Sequence, residues 1–138
     1  MNVTLEEIES SLPNGFHDAE VKSLCVDYVE RTITFEIRVW IGDVTSPDEQ
    51  QRETYQNGVL TLEQFLLCVI EPPDAGYPYD KPQPLTIDSG SGNRQQVSFL
   101  ETIPEAAFAH WFYVNEWNAF IYVIARGARL DLHDTEAA

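Results

Sequence analysis

The sequence predicts a mainly β protein, a twisted antiparallel sheet or a two-layer β-sandwich with a short N-terminal helix. Two observations carry this. Ile33, Phe35, Ile37, Val39 and Ile41 alternate with Thr32, Thr34, Glu36 and Arg38, the two-residue period of a half-buried strand. Residues 108–114 and 119–125 are dense in aromatic and β-branched side chains and flank the four-residue turn Asn115-Glu116-Trp117-Asn118, the composition of a buried hairpin. The competing reading is an α+β fold in which residues 105–114 are helical, because Pro104 is a good first-turn residue. The 138 residues, of which 43% are hydrophobic, fit a single domain over 1–138, typical domains being roughly 100–150 residues long.

The elements follow in chain order. Thr4 before Leu5, Glu6, Glu7 and Ile8 reads as a capped helical turn, with acids near the positive end of the helix dipole and Leu5, Ile8 and Leu12 on one face. Pro13 ends it, and Asn14-Gly15 is a turn signal. Leu24, Val26 and Tyr28 begin a strand that returns through Val29-Glu30-Arg31 into the alternating run, forming a hairpin. Residues 42–58 read as an exposed polar loop with at most a short helix after Pro47. Residues 59–70 are extended again, and their apolar parity changes near Glu63-Gln64, which predicts a bulge or tight turn there. Pro72, Pro73, Pro78, Pro82 and Pro84 exclude a central strand or a helix. Leu85-Thr86-Ile87 suggests a short edge strand before a flexible Ser89-Gly90-Ser91-Gly92, and residues 96–100 suggest another. Gly127 permits a bulge before a last edge strand, and residues 135–138 should fray.

Charge bounds the function. Eight Lys and Arg stand against 23 Asp and Glu, for a net charge of −15. Such a field repels the phosphates of nucleic acids and acidic membranes, so no nucleic-acid or membrane partner is expected. An acidic mimic of nucleic acid would instead need carboxylates ranged along one ridge. The N-terminus lacks the basic start and apolar run of a secretory signal, and no apolar stretch approaches the ~20 residues of a membrane span. A cytoplasmic location is expected, with Cys25 and Cys68 free and buried in a reducing compartment.

No cofactor is expected, for no glycine-rich phosphate loop, dinucleotide fingerprint or nucleophile elbow occurs. Two strand ends carry histidine with carboxylates, His17-Asp18 and His133-Asp134. If those ends met, they could ligate a divalent ion; the alternative is solvated residues capping turns. His110, between Ala109 and Trp111 in an aromatic run, is a candidate base or a satisfied core histidine. Trp40, Tyr77, Tyr79 and Trp117 are candidate interaction residues, since loop aromatics supply contact area at low entropy cost. The alternative is that they pin the proline-rich loop to the sheet.

The run Leu12-Pro13-Asn14-Gly15-Phe16-His17-Asp18-Ala19-Glu20, entering a hairpin with Asp27-Tyr28 and Arg31-Thr32-Ile33-Thr34, resembles the start of small, mostly uncharacterised bacterial domains, some of them grouped with immunity proteins of toxin systems. Residues 112–121 extend the likeness. The resemblance implies a small cytoplasmic bacterial protein and no catalytic residue. The leading expectation is therefore a non-enzymatic interaction protein, of immunity type, whose acidic surface engages a basic protein partner. The alternative is a small-molecule or metal-binding domain, enzymatic or not, built on His17, Asp18, His110, His133 or Asp134.

Overall fold

The computed structural model describes residues 3–91 and 105–135, except for the side chains of Ser91, Asp134 and Thr135. Thr4 caps α1 (Leu5–Ser11) by accepting the Glu7 N–H, and Leu5 and Ile8 are buried beneath it. Strands β1 (Ala19–Asp27) and β2 (Thr32–Trp40) form the expected hairpin. Its turn is held by the Asp27 carboxylate, which accepts the N–H groups of Val29 and Glu30. Then come α2 (Glu49–Arg52), β3 (Tyr55–Glu63), β4 (Leu67–Ile70), β5 (Leu85–Ser91), β6 (Phe108–Val114), β7 (Ala119–Ala125) and β8 (Gly127–Thr135). The eight strands make one antiparallel sheet, ordered β4-β7-β6-β5-β1-β2-β3-β8.

The ends of this sheet are joined by the chain itself. β3 and β4 are two arms of one bent run, as are β7 and β8. The two runs pair on both sides of a shared corner, Glu63 opposite Gly127 and Leu67 opposite Ile124. Gln64 turns the first run with a φ of 51°, and the Arg126 N–H donates to the Glu63 carbonyl across the corner. The sheet therefore curls around its apolar face like a barrel, and Phe35 of β2 meets Phe112 of β6 at 5.1 Å between ring centroids. Ile33, Phe35, Ile37 and Val39 are fully buried, each stabilising the fold by ~1.5–3 kcal/mol.

Residues 108–114 are strand, as the leading reading expected, and the helical alternative is set aside. Several other expectations change. β5 is not a short edge strand: it lies between β1 and β6 and takes in Ser89, Gly90 and Ser91, expected to be flexible. A Cβ at Gly90 would collide with the Trp111 indole, so this glycine serves close approach inside a sheet. β3 begins within the expected loop, because residues 55–58 continue the ladder opposite residues 37–40 of β2. Gly127 pairs opposite Glu63, and the register shift falls instead between Gln56 and Gly58. Both cysteines are free, but Cys25 is exposed and Cys68 only half-buried, since Cys25 alternates with the inward Leu24 and Val26. Thr135, expected to fray, still pairs with Gln56 at the end of β8, while the strand expected at 96–100 and the rest of the expected frayed end, 136–138, lie outside the described residues.

Candidate functional site

Sequence order keeps Tyr77 and Trp117 forty residues apart; backbone hydrogen bonds bring them together. The Asp74 N–H donates to the Trp117 carbonyl at 2.8 Å, and the Tyr77 N–H to the Asp74 carbonyl at 2.9 Å. The Glu71 N–H donates to the Phe120 carbonyl, and Glu71 Oε1 accepts the Phe120 N–H. The proline-rich segment is thereby zipped to the β6–β7 hairpin, its prolines limiting the conformations it can adopt. Tyr77 packs edge-on against Tyr79 at 5.0 Å and against Trp117 at 6.4 Å, the planes 89° and 79° apart. Tyr79 is 72% exposed, so the cluster is pinned at one end and open at the other. Trp40 stands apart from it: its indole N–H donates to the Arg52 carbonyl at 2.6 Å, and its ring lies 6.0 Å from His17. The loop carrying α2 covers Trp40, which accounts for an aromatic residue on an otherwise polar strand face.

Behind Tyr77 and Trp117 opens a cavity of about 350 Å³. It exists because β1 pairs with β5 over only three residues, Ala19, Glu20 and Val21. The β1–β2 register shifts between Val21 and Ser23, and beyond that point β1 no longer pairs with β5. The floor is apolar, with Phe35, Ile87, Val114 and Ile121 all buried. Leu24 and Leu85 are half-buried in its wall, and the exposed Gln83 stands at the rim.

The histidines separate into different settings. His17 Nδ1 lies 2.5 Å from Asp88 Oδ1, and its Nε2 lies 3.4 Å from Asp18. The hydrogen bond to Asp88 raises the His17 pKa above its ordinary 6.5, outweighing slight burial, with the charges of Asp18 and Asp88 adding to it. Potential ligand atoms of His17, Asp18 and Asp88 lie within 4.8 Å of one another, the one such grouping among the described residues. This cluster offers a divalent ion one imidazole and two carboxylates, all near solvent. His133 does not join it: it is exposed on β8, where its carbonyl accepts from Gln56 Nε2. The side chain of Asp134 lies outside the described residues.

His110 is 2% exposed, and its Nε2 lies 2.6 Å from Glu9 Oε1. Ser89 Oγ donates to the same oxygen. Burial works to raise the Glu9 carboxyl, yet the hydrogen bonds of His110 and Ser89, with the charge of His110, hold it below its ordinary 4.5. The carboxylate occupies the middle of the trio, bonded to both neighbours, so the arrangement fastens α1 to β5 and β6 rather than activating the serine. Sequence reasoning missed Glu9, Ser89 and Asp88, and nothing local marks them.

Compared with known proteins, the chain matches no family model, no curated protein and no solved structure. No helix among the described residues is long and apolar enough to cross a membrane.

Proposed function

We propose that this chain is a non-enzymatic interaction module, a small cytoplasmic bacterial protein of immunity type, that docks a basic protein partner on Tyr77, Tyr79 and Trp117. The observation that carries the reading is the convergence of these three rings, with Tyr79 left open to solvent while Tyr77 and Trp117 are braced behind it. A braced aromatic loses little entropy on binding and offers a large contact area, the profile of an interface hot spot. Charge supports the sign of the partner. Residues 71–84 carry Glu71, Asp74 and Asp80 against Lys81, within a chain of net charge −15, and complementary charge both steers encounter and rejects acidic competitors.

Selection of a random displayed peptide library on the purified protein tests this. The retained peptides are expected to be rich in Lys and Arg around an apolar residue, to bind Tyr79→Ala at least about tenfold more weakly, and to bind Tyr28→Ala unchanged. Tyr28 is also exposed, at 65%, but lies at the β1–β2 turn. Neutral or acidic peptides, or binding indifferent to Tyr79, would overturn the reading. Small-molecule binding is the second reading, and the cavity behind the rings favours it.

A further inference from the structure

We propose that the cavity behind Tyr77 and Trp117 binds a small organic cation with an apolar body, its body on the barrel floor and its charged head against the two rings. The inference stands apart from the partner reading, because a free molecule can fill the cavity whether or not a protein docks on the rim.

Size sets the body. A cavity of roughly 150 Å³ holds benzene, so about 350 Å³ takes one ring with a compact substituent and falls within the range of small-molecule pockets. Composition sets the polarity. Phe35, Ile87, Val114 and Ile121 form a floor that offers no side-chain hydrogen bond, so a polar group at that depth would lose its water without replacement. The polar end of a ligand must therefore lie outward, at the aromatic mouth.

Charge sets the sign of that end. Tyr77 and Trp117 stand nearly perpendicular, their planes 79° apart, and the faces of such rings attract cations. Lys22, the one basic residue along the wall among the described residues, has its ammonium 3.1 Å from Asn57 Oδ1, on a side chain turned toward β3. Among the described residues no guanidinium lines the cavity to receive an anion. The net charge of −15 raises the local concentration of cations and lowers that of anions.

Methyl-resolved NMR titration of the full chain tests the inference with three probes of matched size: phenyltrimethylammonium, its uncharged isostere tert-butylbenzene, and benzoate. The cation is expected to shift the methyls of Val21, Leu24, Ile87, Val114 and Ile121 and to bind about tenfold more tightly than the hydrocarbon. Benzoate should leave these signals unmoved. Tyr77→Leu should abolish the preference for the cation while the hydrocarbon still binds, and Leu24→Trp, which fills the space, should stop both. Folding of each variant is read from the methyl spectrum itself. Equal affinity for cation and hydrocarbon, tighter binding of benzoate, absence of binding, or shifts scattered over the acidic surface would each overturn the proposal. The partner reading fails separately, through the displayed peptides.

Discussion

Glu9 carries more of the structure than its place in a short exposed helix suggests. Its carboxylate is bonded to His110, 101 positions away, and to Ser89; an uncharged amide in its place accepts only weaker hydrogen bonds from them. Glu9→Gln is expected to destabilise the fold by about 1.5–3 kcal/mol, the range for hydrogen bonds to charged groups, measured by urea denaturation at neutral pH. Because the native Glu9 pKa is lowered, its contribution is fully present above the ordinary 4.5 and is lost as pH falls through the lowered value. Wild type and variant should therefore converge in stability in acid. The His17–Asp88 pair has the opposite sign. The raised His17 pKa means that its contribution is complete below 6.5 and disappears as pH rises through the native value. In an NMR titration His17 should titrate above 6.5, and Asp88→Asn should bring it down; an unchanged midpoint would contradict the hydrogen bond as the main cause. His110 could be read from the sequence as a histidine in a core strand. Its partner could not, because helix and strand meet only after the barrel closes.

At the level of elements, alternation made β1 and β2 legible, and aromatic and β-branched density around a four-residue turn made β6 and β7 so. β5 was not. Ser89, Gly90 and Ser91 look like a flexible joint because small residues usually relax the backbone, yet here Gly90 lies against the Trp111 indole, which leaves no room for a Cβ. Gly90→Ala should therefore destabilise by about 1–3 kcal/mol through overpacking, read as a drop in thermal midpoint, whereas Gly76→Ala, where a Cβ meets nothing within 4 Å, should be nearly silent. The change of parity near Glu63 was visible, but its meaning was not: it marks a corner shared with Arg126 on another run, a tertiary event with no local signature. The candidate site was half legible for the same reason. Loop composition singled out Tyr77, Tyr79 and Trp117, while their meeting depends on hydrogen bonds between the segment after β4 and the β6–β7 turn.

For the whole molecule the two dominant properties are the closed apolar interior and the net charge of −15. The first leaves an opening where β1 and β5 part, and the second decides what approaches it. If the protein works by association, its field must appear in the kinetics: steering by complementary charge raises encounter rates by about 10- to 1000-fold and is screened by salt over a Debye length of about 8 Å at physiological ionic strength. Contacts at the rings act later, on dissociation. Stopped-flow association of the protein with its selected basic ligand, followed from low to physiological salt for wild type and Tyr79→Ala, reads both. The account predicts an association rate that falls at least about tenfold over that range in both proteins, with faster dissociation in Tyr79→Ala alone. An association rate indifferent to salt, or a dissociation rate indifferent to Tyr79, would contradict it.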